Sequence, residues 1–340
     1  MIAVGVDTHK ERHFAVVLNQ LGELLGELVI EVCAAGYGEL ERWAAGLAPD
    51  AQQIVFGIEG AGSWGAGLCE HLQRCGCMVV EVERPRRRDR RAGKSDRIDA
   101  LAAAKRVLVG EGTSTPRGRG ILSVLRALLV AQRSATCERT RLLNEIHALH
   151  ATAPVALRER VGEGSGKQLE RRLGVMRARA SAPVDERAVF AVMRDLAARS
   201  RALAVDARRY ERELADVVGS LDATLLGEVG VGPISAAKLL VCDPARFTSE
   251  AAFARCNGTA PIPASSGKTV RHRLNRGGDR QVNNAIHTIA LSRSLHHPET
   301  RAYLDRRIGE GKTKREAMRS LKRHLSRRLF QRLIEVPLTL

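Results

Sequence analysis

Apolar and polar positions follow two regimes along the chain. In the first eighty residues the apolar runs are short, rich in Val and Ile, and bounded by polar or glycine-bearing turns: residues 2–6, 13–18, 28–32, 54–60 and 78–82. Such runs predict strands. Apolar residues at helical spacing over 37–47 and 65–74 predict two helices between them. The order βββαβαβ, then a helix, fits a mixed sheet flanked by helices. Farther on the period changes. From 121 to 150 there is neither Gly nor Pro, and Leu122, Leu125, Leu129, Leu142, Ile146 and Leu149 share related helical faces. Gly162-Glu163-Gly164-Ser165-Gly166 interrupts this pattern, and after Pro183 it resumes to about residue 218. There Leu196, Leu203, Tyr210 and Val217 recur every seven residues, with Ser200, Ala207 and Leu214 at the companion positions. A seam so short and so rich in small residues suits an antiparallel pair, self-association, or two amphipathic helices packed on their own domain.

Beyond residue 220 the pattern is helical with punctuation. Residues 227–238 read as helix, glycine turn, helix, resembling a helix-hairpin-helix element; an ordinary helical hairpin is the competing account. Helices are predicted over 281–295, 299–308 and 312–335. The last carries Ala317, Leu321, Leu325, Leu329 and Leu333 on one stripe and Lys and Arg elsewhere.

Charge narrows the function classes. The 340 residues hold 55 Lys and Arg against 38 Asp and Glu, a net charge of +17. A chain so basic points to nucleic acid. With 3% aromatics, phosphate contacts rather than base stacking are expected to dominate. No window is long and apolar enough for a membrane span, and no signal peptide is indicated, so no membrane partner is expected. The seven cysteines are scattered; only Cys75-Gly76-Cys77 is close-set, and no second pair completes a zinc site. Reduced cytosolic thiols are expected.

Two constellations could carry chemistry. In Lys94-Ser95-Asp96-Arg97-Ile98-Asp99 a helix would place Asp96 and Asp99 on one face. Asp7 and Glu59 end apolar strands, and strand ends in open α/β sheets collect ligands. Four such acids at one sheet edge would need cations. Arg86, Arg87, Arg88, Arg90, Arg91 and Lys94 lie just before the helix and would hold a polyanion. Plain turn residues and helix-dipole acids are the competing account. The second constellation is a loop with Ser265, Ser266 and Gly267 followed by Lys268, Arg271, Arg273, Arg276 and Arg280. Cations around a phosphodiester would assist a serine nucleophile, whereas a solvated basic loop needs no such role. His272 and His287 are weaker acid/base candidates.

Gly5-Val6-Asp7-Thr8-His9-Lys10, Gly57-Ile58-Glu59-Gly60-Ala61-Gly62 and Lys94-Ser95-Asp96-Arg97-Ile98-Asp99-Ala100 together resemble the insertion-sequence one-ten family, DEDD transposases similar to Piv-type DNA invertases. The resemblance implies an α/β RNase H-like domain of the RuvC type over 1–112, a helical, coiled-coil region over 118–220, and a mainly α-helical C-terminal transposase domain over 221–340. It assigns Mg²⁺ binding to Asp7, Glu59, Asp96 and Asp99. The resemblance also implies that Ser266 is the nucleophile, being the serine before the glycine in the family's Gly-x-x-Pro, Ser-Gly, basic Gly-Asn/Asp stretch; Ser265 is its neighbour. Where many relatives carry Arg this chain has Asn283 and Asn284, so no phosphate role carries over there. The resemblance further implies a DNA substrate, a structured bridge RNA as guide, dimers joining into tetramers, and a composite site that forms between protomers. The expected function is therefore DNA recombination through a covalent phosphoserine. The alternatives are a RuvC-like junction nuclease using water, a non-enzymatic nucleic-acid scaffold, and, least favoured because no adenosine-binding glycine loop is found, an actin-like phosphotransferase.

Overall fold

A computed structural model describes residues 1–47, 53–83, 95–116, 118, 120–264 and 271–336. The chain divides into two compact units, 1–119 and 120–340.

The first unit is built on a mixed sheet. Its elements run β1 (Ile2–Thr8), β2 (Arg12–Leu18), β3 (Leu24–Glu31), α1 (Ala34–Leu47), β4 (Ile54–Glu59), α2 (Ala66–Arg74), β5 (Met78–Val82), α3 (Asp96–Val109) and β6 (Thr113–Ser114). The strand order is β3-β2-β1-β4-β5-β6. Strands β1, β4 and β5 are parallel, while β2, β3 and β6 run against their neighbours. All seven residues of β1 are buried. Helices cover both faces of the sheet there, which is why the strand reads as a continuous apolar run rather than an alternation. Ile2, Val4, Val6, Phe56 and Ile58 form one core with Leu40, Leu68 and Leu72 of α1 and α2. The other face belongs to α3: Ala3, Val55 and Val82 pack on Ala103 and Val107. Side chains alternate along a strand, so Gly5 and Asp7 of β1, and Gly57 and Glu59 of β4, lie on this α3 face.

The two glycines explain how close α3 comes. Gly5 and Gly57 are register partners across β1 and β4. A Cβ at Gly5 would collide with the backbone of Ala100 and Ala104, and one at Gly57 with the side chains of Val107 and Val82. The pair forms a trough into which a helix of small residues settles. Ser95 caps α3, accepting from Ile98 N at 3.3 Å. Arg97 Nε, one residue inside the helix, bonds Glu27 Oε1 of β3 at 2.5 Å.

The second unit is helical. It comprises α4 (Ile121–Thr152), α5 (Val155–Val161), α6 (Gly166–Val175), α7 (Val184–Leu221), α8 (Pro233–Val241), α9 (Glu250–Cys256), a two-residue-per-strand hairpin β7 (Ile262–Pro263) and β8 (His272–Arg273), α10 (Arg280–His296), α11 (Pro298–Gly309) and α12 (Lys314–Leu333). Ile146 of α4 shares a core with Phe190 and Met193 near the start of α7, whereas Leu122 and Leu125 share another with Leu214 and Val218 near its end. The two long helices are thus an antiparallel pair within one chain. Ala197 is buried in the first of those cores, Ser200 is buried too, and Leu196, Leu203, Tyr210 and Val217 are half-buried. Leu239, Phe253, Ile286 and Leu329 extend the second core into the C-terminal helices.

Two details depart from the sequence reading. The stretch before the glycine turn is not a helix of its own but a single 3-10 turn at Leu225–Gly227, reached directly from α7. Asp222 ends α7 there by accepting from both the backbone N–H and the hydroxyl of Thr224, a local bond that competes with helix continuation. The glycine-rich interruption at 162–166 also ends in a helix start. Ser165 and Gln168 form a reciprocal capping box at the head of α6. No described helix is long and apolar enough to cross a membrane.

Candidate functional site

Parallel strands bring their carboxyl ends to one edge. Val6 and Ile58 are register partners, so Asp7 and Glu59 stand on the next rung, both on the α3 face. The trough at Gly5 and Gly57 then sets the first turn of α3 over the same edge. Asp7, Glu59 and Asp99 are 6%, 7% and 7% exposed, whereas the side chain of Asp96 is 57% exposed. Thr8 locks the two strand ends together, its hydroxyl donating to the carbonyl of Glu59 at 2.7 Å. Gly60 follows with φ of +72°, a left-handed turn that glycine adopts without strain.

His9 joins the cluster. Its Nε2 lies 3.1 Å from Asp7 Oδ2 and 3.2 Å from Asp96 Oδ1. One donor atom from each of Asp7, His9 and Asp96 falls within 4.8 Å of the others, a spacing that a metal ion can bridge. The Asp7 carboxyl is pushed above its ordinary range. Burial is the largest cause; His9 pulls the other way, and the charges of Asp99 and Asp96 add to the rise. Behind His9, the buried His13 is held toward its neutral form chiefly by burial, and its Nδ1 accepts from His9 N at 3.4 Å. From the sequence alone His9 has no evident role. Its signal was the Asp-x-His spacing at a strand end.

The donor set fits a hard divalent ion. Carboxylate oxygens dominate, three of the four acids are buried, and like charges raise Asp7, all of which a cation would relieve.

In the second unit the hairpin closes at Ala264, whose N–H donates to Arg271 O at 2.9 Å. Ser265, Ser266 and Lys268 lie between these two residues, outside the described residues, as do Arg86, Arg87, Arg88, Arg90, Arg91 and Lys94 of the first unit. Beside the hairpin base is a cleft of about 460 Å³. Residues 258–261 and 271–275 form one wall, and α11, α12 and the turn between them form the other. Among the described residues, seven Lys and Arg side chains line it against two carboxylates, Glu310 and Glu316. Arg271 and Arg273 are among the seven, whereas Arg276 and Arg280 are not. Arg280 instead donates to Arg276 O at 2.6 Å.

The cations are held in place by neutral and acidic neighbours. Lys322 Nζ donates to Asn283 Oδ1 at 2.7 Å, and Asn283 in turn donates to Asn257 O at 2.6 Å. Lys238 Nζ donates to Asn284 Oδ1 at 2.8 Å. The two asparagines thus orient lysines. Arg323 and Arg327 clamp Glu250 and hold its carboxyl down at about 2. Of the two histidines, His272 lines the cleft, and His287 is pushed below its ordinary value by burial and by Lys322.

A cleft of this kind fits a phosphate backbone. Arg273→Ala and Lys312→Ala are each expected to weaken binding to DNA of any sequence, with the slope of log K against log salt falling by roughly 0.7–0.9 per lost contact. Salt-dependent fluorescence anisotropy reads this directly. An unchanged slope in both variants would remove the cleft from the interface.

The sheet order, with carboxylates on one face at the ends of β1 and β4 and on the helix above them, defines an RNase H-like domain of the DEDD type. Comparison with known families agrees. A model described as Transposase, for the DEDD transposases of IS110, matches residues 4–152, and one described as Transposase IS116/IS110/IS902 family matches 223–305. The chain belongs to the IS110 family of transposases. It is also 35% identical over 113 residues to "Insertion element IS110 uncharacterized 43.6 kDa protein" of Streptomyces coelicolor, a match spanning 32% of this chain and 28% of that relative.

Proposed function

We propose that the protein is a DNA recombinase that moves an insertion sequence by cutting and rejoining strands through a covalent phosphoserine. The observation that carries this reading is the convergence of Asp7, Asp96 and Asp99 over one sheet edge, in a chain whose two units each match a transposase model of one family.

Asp7, Glu59, Asp96 and Asp99 would hold Mg²⁺. The bound ion would supply charge to polarise the scissile phosphate and to steady the leaving oxygen. Ser266 contributes the nucleophile. Its Oγ bonds to phosphorus as the phosphodiester's P–O bond breaks, the hydroxyl proton leaves to a base, and the departing oxygen takes up a proton. A hydroxyl of a second DNA end then displaces the serine oxygen. Each step exchanges one phosphoester bond for another, so no nucleotide hydrolysis is required. Lys268, Arg271, Arg273, Arg276 and Arg280 neutralise the backbone beside the serine, and Arg86, Arg87, Arg88, Arg90, Arg91 and Lys94 do so beside the acids. In this reading sequence readout falls to a structured RNA of the element, the partner that the family resemblance implies, and the 3% aromatics are compatible with that division of labour. The protein acts as a homo-oligomer in this reading.

The test is a covalent-adduct assay with end-labelled DNA. Wild type with Mg²⁺ is expected to leave label on the protein in a denaturing gel, and Ser266→Ala to leave none. If Ser266→Ala still cleaves and no adduct forms in wild type, water is the nucleophile and the junction-nuclease reading replaces this one. An adduct that persists in Ser266→Ala and vanishes in Ser265→Ala moves the role to the neighbouring serine.

A further inference from the structure

The first unit carries a second group of metal-binding side chains, away from the acids. Helix α2 leads from the end of β4 back to the start of β5, so its last turn lies at the opposite edge of the sheet from Asp7 and Glu59. His71 and Cys75 are four residues apart on that turn and share one helix face. Glu41 reaches them from α1. His71 Nε2 stands 3.3 Å from Glu41 Oε2 and 3.8 Å from Cys75 Sγ. One donor atom from each of the three residues lies within 4.8 Å of the others.

From this arrangement we infer that Glu41, His71 and Cys75 bind one thiophilic divalent cation of the Zn²⁺ class. The spacing is what a tetrahedral ion requires. With Zn–N and Zn–O near 2.1 Å and Zn–S near 2.3 Å, adjacent ligand atoms sit about 3.4 Å apart for N and O and about 3.6 Å apart for N and S. Both observed separations lie within a few tenths of an ångström of those edges. The imidazole nitrogen, the carboxylate and the thiol converge on a common point. The close-set Cys75-Gly76-Cys77 finds its companions in a histidine one helical turn earlier and an acid on the adjoining helix, rather than in a second cysteine pair. Gly76, at φ of +76°, lets the chain turn back between the two cysteines. The N,S,O donor set favours zinc-like ions, in contrast to the oxygen donors at the opposite edge, which suit hard ions. An ion here would tie α1 to the end of α2 and act on stability, not on the reaction.

The test is a titration of Co²⁺ into the full chain, reduced with a non-coordinating phosphine. A near-ultraviolet thiolate-to-cobalt band with intense tetrahedral d–d absorption is expected, saturating at one equivalent and displaced by Zn²⁺. Cobalt on the Asp and Glu cluster gives no thiolate band, so the two sites separate spectroscopically. Cys75→Ser is expected to abolish the band and His71→Ala to weaken binding at least tenfold. Cys33→Ser and Cys137→Ser, at exposed thiols elsewhere, are expected to leave it intact. Zn²⁺ should raise the melting temperature of wild type by more than that of Cys75→Ser, which keeps only the carboxylate cluster at the opposite edge. Cys75 is exposed, so this variant is expected to fold even where His71→Ala does not. Absence of the band in wild type, or its survival in Cys75→Ser, overturns the proposal.

Discussion

Asp7→Asn is expected to reduce Mg²⁺-dependent strand cleavage by at least about 10³-fold while leaving the metal-free protein as stable as wild type or slightly more stable. The first effect follows from losing a ligand: an ion at the scissile phosphate is worth several kcal/mol in the transition state, and each 1.36 kcal/mol is a decade in rate. The second follows from the direction of the Asp7 titration. Its carboxyl is raised above the ordinary value of 3.8, first by burial and further by Asp99 and Asp96, with His9 opposing. A carboxyl whose folded pKa exceeds its unfolded one favours folding fully below the unfolded value, and this contribution is lost as pH rises through the folded value. At neutral pH the ionised Asp7 therefore opposes folding of the metal-free protein, and the neutral amide does not. Melting curves with and without Mg²⁺ separate the two effects. Wild type should gain melting temperature from the ion and Asp7→Asn should gain much less. A variant that is markedly destabilised without metal would mark Asp7 as a structural acid, and the metal reading of this cluster would fail.

Which parts of this arrangement could be read from residues alone depends on how local the signal is. The strands and long helices were legible because hydrophobic period is local, and the end of α3 is written in Gly110, with φ of +72°. The placement of Asp7 and Glu59 at neighbouring strand ends was legible too, since each closes an apolar run. The trough made by Gly5 and Gly57 was not. Its meaning depends on the β1–β4 register, which pairs residues 52 apart. The basic cleft escaped for the same reason, because residues 258–261, 271–275 and α12 meet only in three dimensions. Asn283 and Asn284 looked like the loss of an arginine; what they do is orient Lys322 and Lys238, which no spacing discloses. The turn at 222–232 defeated the helical reading because Asp222 bonds Thr224 in place of the next helical turn. His9 was visible as a residue and invisible as a bridge, since Asp96 lies 87 positions away in sequence.

Gly5→Ala is expected to be among the most damaging single-methyl changes in the first unit, at about 3 kcal/mol or more. In most strands the same substitution stabilises by about 0.5–1 kcal/mol, because alanine has less unfolded-chain freedom to lose. Here the added Cβ would meet the carbonyl of Ala100 and the amide of Ala104, backbone atoms of α3 that cannot rotate away. The helix as a whole must lift. At Gly57 the clashing atoms are methyls of Val107 and Val82, which yield at the cost of a strained rotamer, so Gly57→Ala should cost roughly half as much. The helix that lifts is the one carrying Asp96 and Asp99, whereas Asp7 stays on its strand. Gly5→Ala protein that remains folded at low temperature should therefore cleave DNA about 10²-fold more slowly, the order expected when reacting groups are misplaced by about 1 Å. Raising Mg²⁺ should recover part of that rate, since the ion favours the assembled ligand set. Chemical denaturation of both glycine variants, with cleavage measured well below their melting temperatures, checks the order. Equal losses at the two positions would mean that α3 rides on side chains rather than on the strand backbone, and the geometric link between the trough and the acids would be broken.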